Sequence, residues 1–259
     1  MRRPLLFVSL VMSALLIAAG VLITQSTART PVTGTNGAKA VSTEPVLIEL
    51  FTSQGCSSCP PADRLAARLA KEDGLVVISR PVDYWDRLGW KDTLASAANT
   101  ALQRAYAGRR LAGYNGVYTP QSVVSGQLGE VGSDEPALRN LIRAARGDAY
   151  SSPVTIRANR VDGKGFAIGI AGETKASAEL SLVAVSSREE IAIGRGENGG
   201  RTVGYTNVLL NEEVLARWAG GEKSVALYDG QLAVEGADRY ALVLRVPKGG
   251  PVLAARWLR

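Results

Sequence analysis

The sequence predicts an α/β domain followed by an antiparallel β-sandwich-like domain. Apolar strand-like runs alternate with helical periodicity up to about residue 148, and short alternating runs replace them after residue 151. Glycine and charged turns separate the later runs at short intervals. With 259 residues, 46% of them hydrophobic, the chain is long enough to pack both domains.

The first 28 residues are predicted to be a signal peptide or an N-terminal membrane anchor. Arg2 and Arg3 precede an apolar run at residues 5–23, and small residues suited to cleavage follow. Either alternative places the rest of the chain in the periplasm or outside the cell, because the arginines stay on the cytoplasmic side. Without cleavage, residues 5–23 anchor the protein to the inner membrane. Residues 29–43 lack apolar periodicity and are predicted to be a linker.

The α/β domain is predicted to cover residues 44–148. The run "PVLIELF" is rich in strand formers, and the segment after it has apolar residues at helical spacing with Pro60 and Pro61 in its first turn. The predicted elements in chain order are strand 45–51, helix 60–71, strand 74–82, helix 96–110, strands 121–127 and 128–132, and a helix from about 134 to 146.

The β-rich domain is predicted to cover residues 151–259. Its period-2 runs are typical of half-buried strands in an antiparallel sandwich or barrel. They are "PVTIRANRV", "GFAIGIAG", "AELSLVAVSS", "EIAIGRG", "TVGYTNVLL", "SVALYDG", "RYALVLRV" and "PVLAARWL".

Composition excludes several classes of function. The chain has no histidine, which removes the commonest zinc ligand and every Ser-His-Asp arrangement. Half of its net charge of +6 comes from Arg2, Arg3 and Arg29, so the remainder gives little support to nucleic-acid binding. We expect no metal site and no nucleic-acid partner, and membrane contact only through the N-terminal segment.

Both cysteines lie in the stretch "LFTSQGCSSCPPAD", between the first strand and the first helix. Such a pair can form a structural disulfide, bind a metal or transfer electrons. A helix start presents unpaired N–H groups that favour a thiolate, so we expect a lowered pKa for Cys56. In the electron-transfer reading, Cys56 is the more exposed nucleophile and Cys59 resolves the mixed disulfide.

A second motif, "GVYTPQSVV", lies about sixty residues later, and together the two motifs resemble the thioredoxin superfamily. The resemblance implies a thioredoxin-like domain in which Pro120 is cis and its loop faces the cysteines. It also implies that the backbone of Thr119, next to Tyr118, pairs with an extended substrate chain.

More narrowly, the stretches "VLIELFTSQGCSSCPPAD", "VDYWDRLGWKD", "QRAYA", "YTPQ" and "GENGGR" resemble the DUF1223 family of secreted thioredoxin-like proteins. The likeness spans most of residues 45–258. It implies a fold and no cofactor, and the family brings no established activity.

Three further residues are candidates for supporting roles. Glu49 is the nearest match to the buried acid that thioredoxins carry beneath the second cysteine, and we expect burial to raise its pKa for proton relay. The alternative is an edge residue facing solvent. Asp83 and Trp85 could form a rim that grips a peptide or protein partner, or belong to a loop packed on the next helix. The stretch "GRGENGGR" is predicted to be a hairpin turn, or else a surface that touches the first domain or a partner.

These observations predict an extracytoplasmic thiol–disulfide oxidoreductase with a Cys-Ser-Ser-Cys site. Its partners would be protein thiols or disulfides, or a redox partner protein. Two alternatives stay open: a non-catalytic secreted binding module with a structural Cys56–Cys59 disulfide, and a copper chaperone holding Cu(I) between two thiolates.

Overall fold

The computed structural model describes residues 44–111, 116–147 and 149–259. The predicted signal or anchor segment and the linker lie outside the described residues. Within these ranges no helix is long and apolar enough to cross a membrane.

The first part of the chain follows the predicted β-α-β-α-β-β-α order. Each helix starts where the sequence supplies a proline or a capping side chain: Ser96 accepts a hydrogen bond from the Ala98 amide, and Asp134 accepts one from the Ala137 amide. The elements are β1 (Val46–Thr52), α1 (Pro60–Leu69), β2 (Leu75–Pro81), α2 (Ala97–Gly108), β3 (Gln121–Val124), β4 (Leu128–Val131) and α3 (Glu135–Arg146).

Seven strands follow α3. The predicted strand "EIAIGRG" is wrong as a separate element, because its first residues continue a 15-residue strand that pairs with the next, 17-residue strand in one long hairpin. The strands are β5 (Thr155–Val161), β6 (Gly165–Ala171), β7 (Ala178–Ala192), β8 (Thr202–Trp218), β9 (Lys223–Tyr228), β10 (Arg239–Arg245) and β11 (Val252–Trp257).

One mixed sheet of eight strands contains elements from both parts of the chain, in the order β11-β10-β7-β8-β2-β1-β3-β4. Strand β2 is parallel to β1 and also to β8, which it meets at Ser79 and Val208. The Ser79 hydroxyl donates to the Thr206 carbonyl at 2.7 Å, and the Asn207 amide donates to the Val77 carbonyl at 2.8 Å. The protein therefore has an α/β fold with a mixed sheet. The division into two domains near residue 150 stays a prediction.

A smaller sheet, with the order β5-β6-β9, packs through apolar side chains on the part of the large sheet formed by β7, β8, β10 and β11. Ile156, Ile168 and Leu227 of the small sheet share one core with Leu180 and Leu242 of the large sheet. Strands of this part alternate buried and exposed positions as the period-2 pattern predicts.

The two faces of β1 support different parts of the molecule. Ile48 and Leu50 point to the side covered by α1 and α3, whereas Leu47 and Phe51 point to the opposite side, towards the second-half strands and α2 respectively. Because side chains alternate along a strand, Thr52 shares the α1 side and Glu49 lies on the α2 side. This alternation decides which acidic residue lies near the cysteines.

Candidate functional site

Cys56 and Cys59 form a disulfide in the turn between β1 and α1. Their Cα atoms are 5.4 Å apart, and the Cys59 amide donates to the Cys56 carbonyl at 3.1 Å. The Cys59 carbonyl accepts from the amides of Ala62 and Asp63, which starts the helix. Pro60 fits its first position because an amide there has no partner within the helix.

The prediction that Cys56 is the exposed member of the pair is wrong. Both cysteines have 0% exposed surface, while Ser57 and Ser58 between them are exposed. Two residues from outside the motif contact the turn beside Cys56. Trp85 packs against Gly55, where an added Cβ would lie 3.1 Å from the tryptophan Cβ, and Asn198 donates to the Cys56 carbonyl at 2.8 Å. Both come from distant parts of the chain, which the cysteine motif does not reveal.

The predicted cis bond lies close to the cysteine turn. Thr119–Pro120 is cis, and β3 starts directly after it, with Gln121 opposite Phe51 at the end of β1. The Trp85 indole donates to the Thr119 hydroxyl at 2.9 Å and packs on Gly55 at the same time. Trp85 therefore links the proline loop to the turn that holds the disulfide.

Two other predicted binding residues are tied to α2. The Tyr118 carbonyl accepts from the Gln103 side chain at 2.7 Å. The Asp83 carboxylate accepts from the Thr100 hydroxyl at 2.6 Å, and the same hydroxyl accepts from the Asp83 amide. Asp83 thus fixes the loop after β2 to the following helix, as the packing interpretation predicts, and its use as a rim residue stays a prediction.

Glu49 is fully buried, but its surroundings are not those of a proton relay. Arg80 Nε and an Arg245 amino group lie 2.6 and 2.7 Å from its Oε1, and the Tyr106 hydroxyl donates to its Oε2 at 2.6 Å. Burial alone would raise the pKa of Glu49, but the charges and hydrogen bonds of Arg245 and Arg80 hold this pKa below its usual value. The expectation of a raised pKa is therefore wrong, because Glu49 lies on the α2 face of β1.

Asp63 has the properties that were expected of Glu49. It follows Cys59 by one helical turn, which places both side chains on the same face of α1, and it is 2% exposed. Within the described ranges neither of its carboxylate oxygens has a hydrogen-bond partner in good geometry. Burial raises its pKa to about 8, only partly offset by the nearby Thr52 hydroxyl. Asp63 was not among the site residues predicted from the sequence, although its place on the apolar face of the helix, with Ala66, was a visible signal.

A polar cluster beside the disulfide was also missed. Gln54 donates from its amide to Asp92 at 2.7 Å and accepts from the Trp90 indole at 2.8 Å. Its carbonyl accepts from Asn198 at 3.0 Å. Burial raises the pKa of Asp92, opposed by the amides of Gln54 and Leu94. The cluster fixes the strand end that leads into the cysteine turn.

Residues 193–201, which we call the cap loop, connect β7 to β8 and contain the "GENGGR" stretch. The loop is closed by hydrogen bonds between the backbones of Ile193 and Arg201 and from Gly200 to Ile193. Asn198 and Glu197 reach from it to the cysteine turn, where Glu197 Oε2 accepts from the Ser57 amide at 3.1 Å. Both readings of this stretch therefore hold: it is a turn, and it touches the first part of the chain.

No group of three or more Cys, Asp or Glu side chains in the described part of the chain is arranged to hold a metal ion. The chemistry that the site offers is that of its two sulfurs, a buried carboxyl group one turn along the helix, and the backbone amides of the turn. Disulfides of this kind are typical of extracytoplasmic compartments.

Solved structures of other proteins superpose on this chain. A crystal structure of a protein from Agrobacterium tumefaciens superposes with a TM-score of 0.72 at 27% identity, covering 85% of this chain and 96% of that one. The protein HBP35 of Porphyromonas gingivalis superposes with a TM-score of 0.52 at 14% identity, over 83% of this chain and 74% of that one, which shows similarity of fold alone.

Two further similarities are at the level of sequence. A protein described as "Probable Thioredoxin" from Archaeoglobus fulgidus is 42% identical over 38 residues, which are 15% of this chain and 42% of that relative's length. The family model described as "Protein of unknown function (DUF1223)" matches residues 47–245, well over half of the chain. The chain therefore belongs to the DUF1223 family.

Proposed function

We propose that the protein is an extracytoplasmic thiol–disulfide oxidoreductase whose reactive group is the Cys56–Cys59 pair in a thioredoxin-like part of the fold. The observation that carries the proposal is the position of the disulfide. It sits in the turn between β1 and α1, at the sheet end where the Thr119–Pro120 loop also lies. The short match to the protein described as "Probable Thioredoxin" from Archaeoglobus fulgidus supports it.

The proposed reaction consists of two successive thiol–disulfide exchanges. A partner thiolate attacks Cys56 Sγ, the Cys56–Cys59 bond breaks, and Cys59 leaves as a thiolate that takes up a proton. A second partner thiolate then attacks the partner's own sulfur in the mixed disulfide and releases Cys56. The partner leaves as a disulfide and the protein as a dithiol. The reverse sequence oxidises the protein and reduces the partner.

In this scheme Asp63 is the proton donor and acceptor for Cys59. A carboxyl group with a pKa of about 8 is largely protonated at neutral pH and can both give and take a proton there. Glu49 is held ionised by two arginines and lies on the other face of β1, so it does not fill this role. The complete burial of Cys56 requires the side chains over the turn to move before a partner sulfur can reach it.

The test compares wild type, Cys56→Ser and Asp63→Asn for reduction of insulin by dithiothreitol and for oxidation of a dithiol peptide. We expect wild type to be active, Cys56→Ser to be inactive, and Asp63→Asn to be slower by roughly tenfold or more. The variant Cys59→Ala should accumulate a mixed disulfide with its partner that mass spectrometry detects. Equal activity of wild type and Cys56→Ser in both assays would overturn the proposal.

A second candidate is a secreted binding module in which the disulfide is structural. The specific observation in its favour is the 0% exposure of both cysteines. Under this proposal the native disulfide resists millimolar dithiothreitol until the protein unfolds, and reduction tracks global unfolding in urea. Reduction of the folded protein within minutes would reject it in favour of the oxidoreductase.

A further inference from the structure

The cap loop is fixed to the cysteine turn by a buried side chain. Asn198 is 1% exposed, and its amide group bridges the carbonyls of Gln54 and Cys56 at 3.0 and 2.8 Å. Arg201 of the same loop donates to the Asn198 side-chain oxygen at 3.1 Å, which orients the amide. The loop is therefore held in one register against the disulfide.

In this position the cap loop places the Glu197 carboxylate against the backbone of the cysteine turn. Glu197 Oε2 accepts from the Ser57 amide at 3.1 Å. The Ser57 hydroxyl and the same amide hold the pKa of Glu197 below its usual value, so the group is charged at neutral pH. Glu197 itself is exposed to solvent, and a variant there leaves the buried core untouched.

The Ser57 amide belongs to the residue that directly follows Cys56, and it lies next to the sulfur that becomes a thiolate, in the turn before the helix start at Pro60. The partial positive charge of a nearby N–H group favours a thiolate over a thiol. A carboxylate on that amide offsets its partial positive charge and adds a like charge to the same turn. Both effects oppose the thiolate and so favour the disulfide over the dithiol.

We propose that Glu197 is a positioning residue that makes the Cys56–Cys59 disulfide harder to reduce, by occupying the Ser57 amide and by placing a negative charge beside the sulfur that becomes a thiolate. The inference rests on the proposed redox function in treating this disulfide as reversible. It assigns a role to the second part of the chain in setting the chemistry of the first.

Other charged groups also surround the pair and stay constant in the comparison. Those on the elements packed against the turn are Asp63 and Arg64 of α1, Asp83, Asp86, Arg87 and Asp92 after β2, and Arg195 and Arg201 of the cap loop. Because none of them is changed, a difference between variants at position 197 reports that carboxylate alone.

The reaction used as a probe is reduction of the disulfide by dithiothreitol. Its first thiolate attacks one sulfur of the pair and its second closes a six-membered cyclic disulfide, so the reagent is oxidised by two electrons and both protein sulfurs are reduced. Four forms of the full chain are compared: wild type, Glu197→Gln, Glu197→Ala and, as a control, Glu222→Gln at an exposed position. The equilibrium with oxidised and reduced dithiothreitol is measured from pH 5 to 10, and the Cys56 thiol pKa from the rate of alkylation by iodoacetamide.

Glu197→Gln keeps an oxygen that can accept from Ser57 and removes the charge, whereas Glu197→Ala removes both. We expect Glu197→Gln to lower the Cys56 pKa and to increase the reduction equilibrium constant by about threefold above that pKa. Glu197→Ala should give a larger shift in the same direction. Well below the Cys56 pKa the sulfur is a thiol in every variant, so the difference should vanish there. Glu222→Gln should match wild type throughout.

Two outcomes would overturn the inference. Identical titrations for wild type and both Glu197 variants would show that the carboxylate has no effect on the sulfur. An equal shift at every pH would show a loosened loop and not a charge effect. Each result is independent of turnover: a shift at position 197 in a protein that is inactive on insulin and dithiol peptide would reject only the proposed function. Active protein with no shift would reject only this inference.

Discussion

The two faces of β1 each bury a carboxyl group, and their surroundings are opposite. Glu49 on the α2 face is enclosed by Arg80, Arg245 and the Tyr106 hydroxyl, and its pKa is lowered. Asp63, which meets the α1 face near Thr52, has no partner in good hydrogen-bond geometry among the residues that the structure describes, and its pKa is raised to about 8. Burial is the largest single influence on both, so the partners alone decide the sign of the shift.

The comparison separates two uses of a buried charge. An ion pair with full hydrogen bonding joins distant segments, here β1, β2 and β10. A buried carboxyl group without such partners is kept neutral near pH 7 at a cost in stability, which is typical of groups that exchange protons. The sequence shows both as acids in apolar surroundings and does not distinguish them.

The largest expected effect concerns Asp63→Asn. The folded pKa of about 8 lies above the unfolded value of 3.8. The contribution of Asp63 to the free energy of unfolding is therefore fully favourable below pH 3.8 and is lost as the pH rises to about 8. The free energy of unfolding of the variant should match that of wild type near pH 4 and exceed it by about 5 kcal/mol at pH 9. Urea unfolding of the full chain measures this, with the exposed Asp73→Asn as control. Parallel pH profiles for wild type and Asp63→Asn would contradict the assignment.

The opposite result is expected for Glu49→Gln. The change leaves two buried arginines without their shared carboxylate, which should reduce the free energy of unfolding by about 4 kcal/mol at neutral pH. Urea unfolding of the full chain again provides the measurement, with Glu222→Gln as the exposed control. A loss below about 1 kcal/mol would mean that the three groups are less tightly coupled than their contacts indicate.

Removing one of the two arginines should cost less. In Arg245→Gln the carboxylate of Glu49 keeps Arg80, and we expect a loss of about 2 kcal/mol. The variant should also become less sensitive to acid, because losing one cation moves the lowered pKa of Glu49 back towards its unfolded value, so less stability is lost as the pH falls. Both statements are tested by measuring the free energy of unfolding at pH 4 and pH 7. The control is Arg157→Gln on the surface of β5. An unchanged acid sensitivity would assign the lowered pKa of Glu49 to Arg80 alone.

The smallest effect should come from Thr52→Val, which has nearly the same shape. The Thr52 hydroxyl lowers the pKa of Asp63, so its removal should raise that pKa further and reduce stability by about 1 kcal/mol at pH 9, with no loss at pH 5. The exposed Thr202→Val is the matched control. A loss of equal size at both pH values would indicate altered packing and no contact with the carboxylate.

Local sequence patterns predicted the local structure well. The order of elements up to α3, the proline-containing start of α1 and the cis bond at Pro120 follow from periodicity, turn chemistry and the family resemblance. Each of these depends on residues close together in the chain. The α/β class follows from the same local information.

What the sequence did not predict depends on contacts between distant residues. Arg245 reaches Glu49 across 196 positions, and Asn198 reaches Cys56 across 142. A period-2 pattern indicates that a strand is half buried, but it does not say which strand lies beside it, so the pairing of β8 with β2 was not foreseen. The exposure of Cys56 was predicted wrongly, and residues that contact its turn, such as Trp85 and Asn198, lie outside its motif.

The eight-stranded sheet, which contains strands from both parts of the chain, restricts which fragments of the protein can be expressed. A fragment ending at residue 148 would lose the strands that cover Leu47, Val76 and Ile78, leaving an apolar surface and an open strand edge in water. It would also lose the arginine that β10 contributes to Glu49. An expressed fragment should therefore include every strand of the eight-stranded sheet. A fragment cut near residue 148, where the composition changes, is expected to aggregate.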